Sequence, residues 1–354
     1  MVATLVSVCS ALAPEVPQDD VATFVAGLYP ELPPDRVRSL FANAGIERRH
    51  LARPLDWYAD PHEPGERFDL ACAEALELGV RAARAALEAA GVDSRSVDSV
   101  VFVTTTAVRS PALDASLVPA LGLRPDVRRV PLFGLASLGG AAALALAADL
   151  VAAGDRCVLV VATELNSLMF APRAEPGSMQ SAVIMALFSD GAAAAVVSSG
   201  SAASGGHRLQ LVGRHSTLVP DSLGVMGFDM TSTGLRWRLA PGVPEVARLH
   251  VTSSVDSALA TLGWRRGDLD HVLVHPGGAK VLAAVEDALG LPEGSLSWSR
   301  RAMREHGNLS SVTVLVVLEA FLASQPRPGR GLLTAMGPGF GLEHVLFEIV
   351  GGWS

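Results

Sequence analysis

Five short segments, dense in small apolar and β-branched residues, recur along the chain, and helical periodicity fills the intervals between them. The segments read SVVFVTTT, CVLVVATE, AAAAVVSS, HVLVHPGG and GLLTAMGPG. Apolar runs of this length are typical of strands buried on both faces, and their alternation with helices predicts stacked α and β layers. The order of these segments therefore constrains the chain to an α/β fold.

The length of 354 residues fits about two domains, or two fused halves of one larger globule. The polar, Gly- and Ser-rich stretch VSSGSAASGGHR, near residues 197–208, is the best linker candidate. Each side of it contains strands, long helices and one conspicuous Gly-rich turn. We therefore predict two similar halves, residues 1–205 and 206–354.

Charge and cysteine content exclude several classes of protein. The formal charge of −8 argues against nucleic acid as a partner, so an anionic ligand must meet a local arginine cluster. No apolar run reaches the roughly 20 residues of a membrane span, and the apolar N-terminus lacks a basic leader region. The three cysteines show neither metal-ligand spacing nor a pairing pattern. We expect a soluble, cytoplasmic chain without a metal site or membrane contact.

Three polar residues stand at strand ends or turns, each framed by small residues: Ser137 in LASLGG, His275 in LVHPGG and Asn308 in EHGNLSS. Small neighbours let a substrate approach the backbone, and a helix start stabilises a nearby anion. The pattern is that of a nucleophile with its supporting groups. Each residue also has a purely structural interpretation, as a helix cap, a turn histidine and a turn-forming asparagine.

Longer segments resemble a known family. They are GLRPDVRRVPLFGLASLGGAAALALAADL, ALFSDGAAA, VPDSLGVMGFDMTSTGLRWRL, VHPGGAKVLAAVEDALGL, HGNLSSVTVLVVLEAF and MGPGFGLEHVLFEIV. Together they are similar to the type III polyketide synthases, the chalcone-synthase-like branch of the thiolase superfamily. The resemblance runs nearly from end to end, and HPGG, GN-x-SS and GPGFGLE are specific in that order.

The resemblance implies an α/β thiolase fold, with two similar halves in a five-layered αβαβα arrangement, and a homodimer. It implies a buried Cys-His-Asn site reached by a narrow coenzyme A tunnel, with no metal or redox cofactor. His275 and Asn308 match the family's His and Asn, which hold the thioester carbonyl and stabilise the enolate formed from malonyl-CoA. The implied reaction loads an acyl-CoA starter, condenses it with that enolate, and ends in cyclisation to a pyrone or resorcinol-type product.

Further positions match family sites by register. Phe188 and Trp237 fall on two gatekeeper positions at the tunnel, although Phe188 also fits an ordinary core residue. The remaining matches are Thr105 and Thr106 on the pocket floor, Ser110 where relatives insert a side chain into the partner's cavity, Asn166, Leu168 and Met169 around the starter and cyclisation cavities, and Arg48, Arg49 and Lys280 for the coenzyme A phosphates. The arginines fit solvated surface charges equally well.

Ser137 is the departure from the family. With GGAAALALAAD kept in register, Ser137 falls on the position of the catalytic cysteine. A serine hydroxyl stays neutral and needs a base during attack, so we expect impaired loading. Three explanations stay open. Ser137 is an engineered replacement of a natural cysteine; or it is natural, in a seryl acyltransferase or hydrolase without chain extension or a slow condensing enzyme; or the site is retired, in a noncatalytic partner or decarboxylating subunit.

Overall fold

Strands and helices alternate along the chain as the sequence predicts. In the computed structural model, residues 2–169, 179–200, 208–232 and 234–351 are described. The strands are β1 (Ala3–Leu12), β2 (Glu15–Pro17), β3 (Arg48–His50), β4 (Ser99–Val103), β5 (Arg128–Leu132), β6 (Cys157–Leu165), β7 (Asp190–Ser198), β8 (Arg208–Leu218), β9 (Met226–Thr231), β10 (Gly234–Leu239), β11 (His271–Val274), β12 (Gly329–Gly337) and β13 (Gly341–Val350). The helices are α1 (Gln18–Leu28), α2 (Pro34–Asn43), α3 (Pro64–Ala90), α4 (Asp114–Leu121), α5 (Gly139–Ala152), α6 (Asn166–Met169), α7 (Met179–Leu187), α8 (Val243–Ala260), α9 (Ala279–Leu289), α10 (Ser297–His306) and α11 (Thr313–Ala323). None of the helices in these ranges has the length and apolar composition of a membrane span.

Nine strands pair in the order β11-β12-β13-β8-β1-β7-β6-β4-β5. The β4 strand is parallel to β5 and β6, and β11 is parallel to β12, whereas β7 runs antiparallel to β1 and β6. The antiparallel pairing of β1 with β8 connects the strands of the two halves. Two short pairs, β2 with β3 and β9 with β10, lie outside this sheet.

Alternating side chains of the strands divide the core into layers. In β4, Val100 and Phe102 belong to the apolar cluster that contains α3, whereas Val101 and Val103 belong to the cluster that contains α5 and α11. The strands of the second half face α5 and α11 on one side and α8 and α9 on the other. The part of the nine-stranded sheet from β5 to β1 and the part from β8 to β11 therefore form two sheet layers on either side of α5 and α11. The order is helix, sheet, helix, sheet, helix, which confirms the predicted five-layered thiolase fold.

The two central helices begin in the same way. A short 3-10 turn, Ala136–Leu138, precedes α5, and a second one, Ser310–Val312, precedes α11. We call them the Ala136 turn and the Ser310 turn. Each opens with a residue in the left-handed region, Ala136 at φ 41° and Ser310 at φ 53°. This repeat supports two similar halves, while the predicted boundary at residues 205 and 206 lies outside the described residues.

The start of α5 meets the Ser310 turn too closely for a side chain on α5. A Cβ on Gly139 would lie 2.5 Å from Cγ1 of Val103, and a Cβ on Gly140 would lie 2.3 Å from the carbonyl oxygen of Ser311. Real Cβ atoms essentially never approach other atoms this closely. The two adjacent glycines therefore let the two central turns touch.

We expect Gly140→Ala to lower the free energy of unfolding by about 3 kcal/mol, because the added methyl group forces the two turns apart. Urea unfolding followed by circular dichroism measures the change. Gly27→Ala in α1 is the matched control, because no atom lies within 4 Å of its added Cβ and it should be neutral or slightly stabilising. Equal stability of Gly140→Ala and the wild type would contradict the close approach.

Candidate active site

A cavity of about 620 Å³, part of it open to solvent, brings together five residues selected from the sequence. Ser137, His275 and Asn308 come from separate turns, and Phe188 and Trp237 line the same space. The other lining residues are Ala136, Ile184, Leu187, Met226, Gly227, Arg238, Leu239, Val243, Gly277, Val281, Met336 and Pro338. No carboxylate occurs among these described residues, and most of the lining is apolar, so a charge that develops here meets little water.

His275 follows β11 directly, at the HPGG turn. Its backbone N–H donates to the Thr334 carbonyl at 2.8 Å, which extends the pairing of β11 with β12 by one residue. The side chain is 1% exposed, and Nδ1 has no hydrogen-bond partner within the described ranges. Burial lowers the pKa of His275 to about 3. The imidazole is therefore neutral at pH 7, with one nitrogen that donates and one that accepts.

Asn308 is oriented by its own turn. The Ser310 N–H donates to Oδ1 of Asn308 at 2.8 Å, and the Asn308 N–H donates to the Leu187 carbonyl at 2.8 Å. Because the amide oxygen is already engaged, the Nδ2 group is the part of Asn308 available to a ligand in the cavity. His275 and Asn308 thus supply hydrogen-bond donors without bringing a negative charge.

Two aromatic rings form one wall of the cavity. The Phe188 and Trp237 rings stack with centroids 4.9 Å apart and an interplanar angle of 26°. The indole Nε1 of Trp237 is buried without a partner in the described part of the chain. Arg238, the next residue on β10, also lines the cavity and pairs with Asp229 at 3.1 Å. Arg238 was not expected at the site from the sequence, although the segment GLRWRL places two arginines beside the tryptophan.

Ser137 occupies the middle of the Ala136 turn and is half-buried. It lines the cavity together with His275, yet no side-chain hydrogen bond joins these two residues in the described structure. The neighbouring Ala136 carries the left-handed backbone conformation and is 3% exposed. The role of Ser137 as a nucleophile stays a prediction.

The phosphate-binding prediction is wrong for Arg49. Its side chain is buried, Nη1 donates to the Phe188 carbonyl at 2.9 Å, and burial lowers its pKa to about 10. Arg49 therefore holds Phe188 in place instead of facing solvent. Arg48 is exposed and lies 3.5 Å from Glu15, and Lys280 is exposed in the first turn of α9. For Arg48 and Lys280, a role toward coenzyme A stays a prediction.

Thr105 and Thr106, the predicted pocket-floor residues, are not among the residues that line this cavity. The Thr105 N–H and the Thr106 hydroxyl both donate to the Glu164 carboxylate, at 3.1 and 3.2 Å. Both threonines therefore bind a buried acid, and their place on the pocket floor stays a prediction.

The residues expected around the starter and cyclisation cavities do not line this cavity either. Asn166 is buried and donates from Nδ2 to the Ser189 carbonyl at 2.7 Å, while Leu168 and Met169 belong to the core on the α3 side. Their short helix, α6, directly follows a fully buried strand, which is why its side chains face protein. Ser110 is exposed, and its predicted insertion into a partner's cavity stays a prediction.

Glu164 is a structural residue that was not expected from the sequence. It receives a third hydrogen bond, from the Ser311 hydroxyl at 2.7 Å, so it links β6 to the Ser310 turn. Burial raises the pKa of Glu164 to about 7. A charged residue at the end of the apolar run CVLVVATE was the available signal, because an acid there needs donors from neighbouring elements.

Most of the chain matches two models of one protein family. Residues 62–201 match the family model of the N-terminal domain of chalcone and stilbene synthases, and residues 210–351 match that of the C-terminal domain. The chain belongs to the chalcone and stilbene synthase family. It is thus a member of the type III polyketide synthase family, whose enzymes are transferases.

Individual relatives agree with the assignment to type III polyketide synthases. The chain is 40% identical over 337 residues to 1,3,6,8-tetrahydroxynaphthalene synthase of Streptomyces peucetius subsp. caesius, covering 94% of this chain and 89% of the relative. The crystal structure of the enzyme of that name from Streptomyces coelicolor A3(2), a bacterial type III polyketide synthase, superimposes with a TM-score of 0.91 at 26% identity, covering 98% of this chain and 99% of that one. A fungal type III polyketide synthase gives a TM-score of 0.87 at 26% identity, with the same coverage.

The raised pKa of Glu164 gives a pH prediction for stability. In the unfolded chain this acid ionises near pH 4.5, and in the folded chain near pH 7. Its contribution to stability is therefore full below pH 4.5 and is lost as the pH rises toward 7. Glu164→Gln removes this loss, and its amide N–H can donate to the Ser311 hydroxyl, which in the wild type donates to the acid.

We expect the unfolding free energy of Glu164→Gln, relative to the wild type, to increase by up to about 3 kcal/mol between pH 4.5 and pH 7. Urea unfolding at four pH values measures the difference. Glu77→Gln, at an exposed position of α3, is the matched control and should give a flat difference. A flat difference for Glu164→Gln as well would contradict the buried-acid assignment.

Proposed function

We propose that the cavity binds malonyl-CoA and acyl-CoA thioesters, and that His275 and Asn308 promote the decarboxylation of malonyl-CoA. The observation that carries the proposal is the orientation of Asn308, whose oxygen is held by the Ser310 N–H so that Nδ2 is left for a ligand. A neutral His275 lies in the same cavity.

The chemistry follows from these two donors. When the bond between the malonyl carboxylate and its α-carbon breaks, CO₂ leaves and the electron pair forms the enolate of the thioester. Negative charge then develops on the thioester oxygen, where N–H groups of Asn308 and His275 would stabilise it. The apolar lining disfavours the solvated carboxylate of the substrate more than the delocalised enolate, and no lining carboxylate opposes the charge.

We further propose that the enolate carbon attacks a bound acyl starter, and that repeated extension ends in cyclisation to a pyrone or resorcinol-type product. Covalent loading is the weak step in this chain, because the neutral hydroxyl of Ser137 is a poor nucleophile. An unextended enolate takes a proton and leaves as acetyl-CoA. The proposed reaction uses coenzyme A thioesters as substrates and needs no metal or redox cofactor.

Assembly and location follow from the family and from the thiols. We propose a homodimer, as the polyketide synthase family implies. We propose a cytoplasmic location because Cys9, Cys72 and Cys157 are all free, which suits a reducing compartment.

Asn308→Asp tests the proposed function most directly. The aspartate keeps an oxygen to accept the Ser310 N–H, but it replaces the Nδ2 donor with a charge that repels the enolate. We expect the release of CO₂ and acetyl-CoA from malonyl-CoA to fall about 100-fold or more. Asn43→Asp, exposed at the end of α2, is the matched control and should leave the rate unchanged.

The outcomes separate the alternatives. Decarboxylation by the wild type that is lost in Asn308→Asp supports the proposal. Formation of a stable seryl ester, followed by transfer to water or an alcohol without loss of CO₂, favours the seryl acyltransferase or hydrolase. Absence of turnover with every acyl-CoA and malonyl-CoA, in a folded protein, favours the noncatalytic partner.

The low pKa of His275 adds a pH prediction. Because burial keeps the imidazole neutral until about pH 3, protonation of His275 should not reduce decarboxylation between pH 8 and pH 5. The pH profile of kcat for malonyl-CoA decarboxylation measures this. A loss of activity centred near pH 6.5 that disappears in His275→Gln would contradict a neutral, desolvated His275.

A further inference from the structure

The turn between β5 and α5 concentrates its backbone strain on one residue. Ala136 has φ 41°, a left-handed conformation that costs an L-amino acid about 1 kcal/mol or more. Ser137 has no positive φ. A sharp turn from strand to helix with a strained residue at its apex is the geometry that exposes a nucleophile to a substrate, and strained residues cluster at active sites.

Packing on both sides holds this conformation. A Cβ on Gly337 or Gly341 would lie 2.8 or 2.7 Å from the Leu138 side chain, so Leu138 fills the space between them. Gly139, the next residue, is pressed against Val103 and the Ser310 turn. The chain after Ala136 is therefore fixed within two residues, and the turn cannot relax by rotation.

Burial distinguishes Ala136 from Ser137. Both residues line the cavity with His275 and Asn308, but Ala136 is 3% exposed whereas Ser137 is only half-buried. A serine nucleophile reacts through a base within about 3 Å, and this contact is often longer before substrate binds. No hydrogen bond between Ser137 and His275 is found in the described structure, and the enclosed Nδ1 of His275 is left without a partner. The described structure therefore shows no base engaged with the Ser137 hydroxyl.

We infer that Ala136, and not Ser137, occupies the position from which a nucleophile would attack a thioester in this cavity. The register that puts Ser137 there is off by one residue. The inference rests on the proposed binding of thioesters, and it deepens that proposal: this chain has no covalent acyl carrier at this position and holds its acyl groups as coenzyme A thioesters.

The test installs a thiol at each of the two positions. In Ala136→Cys, the introduced thiol gives its proton to neutral His275, and the thiolate attacks the carbonyl carbon of the acyl-CoA. The carbon–sulfur bond to coenzyme A breaks, and coenzyme A leaves as a thiolate that takes up the proton. We expect acetyl-CoA to acylate Ala136→Cys at least ten times faster than Ser137→Cys.

Intact-protein mass spectrometry measures the adduct, with tryptic mapping of the modified residue. The wild type is the control for background, because the two variants share its three cysteines, and burial raises the pKa of Cys9, Cys72 and Cys157. Those thiols should stay unmodified. Melting temperatures establish that each variant is folded.

A second variant avoids the added sulfur. The double exchange Ala136→Ser/Ser137→Ala has the same composition and mass as the wild type, with the hydroxyl moved by one position. We expect it to form an acyl ester that the wild type does not form.

Several results would overturn the inference. Faster acylation of Ser137→Cys than of Ala136→Cys does so, as do equal rates and the absence of an adduct on a folded Ala136→Cys. Malonyl-CoA decarboxylation by the wild type is measured separately. If the wild type decarboxylates malonyl-CoA but Ala136→Cys is not acylated, the inference alone is refuted. If the wild type does not decarboxylate malonyl-CoA and Ala136→Cys is not acylated, the proposed function is refuted.

Discussion

The fold depends on the contact between the start of α5 and the Ser310 turn. Gly139 and Gly140 have no room for a side chain, because a Cβ on Gly140 would fall 2.3 Å from the Ser311 carbonyl oxygen. This contact brings the two halves together at the point where their central helices begin. Asn308 and the Ala136 turn reach one cavity only because α5 and α11 start side by side.

A buried acid stabilises the same junction from the other side. Glu164 accepts hydrogen bonds from Thr106 and Ser311, which belong to different halves of the chain. Burying a carboxyl group is unfavourable unless donors surround it, and this cost appears as a raised pKa. The junction is thus held by apolar contact and by a polar network that is satisfied only when both halves are in register.

Sequence patterns predict the layers well because burial on both faces leaves a simple apolar signal in β4, β6, β7, β11 and β12. They also bring His275 and Asn308 to one site, since the HPGG and GN-x-SS motifs fix both turns. They do not reveal which face a side chain takes. Arg49 resembles a surface charge in GIERRH, but β3 turns it inward to the Phe188 carbonyl. Thr105 and Thr106 are fixed by an acid 58 or 59 residues away, and no local pattern encodes that distance.

The local sequence also does not reveal which of Ala136 and Ser137 takes the strained position in the turn. An alignment of the α5 sequence can be shifted by one residue with little change in the apolar pattern. The left-handed φ angle, in contrast, occurs at Ala136 alone in the Ala136 turn, and the packing around the turn determines that position. The neutral state of His275 agrees with an alanine there. A buried imidazole without a carboxylate partner gains a proton only when an anion forms beside it, and a methyl group cannot supply that anion. The low pKa of His275 follows from the burial of its ring in the apolar cavity that Ala136 also lines.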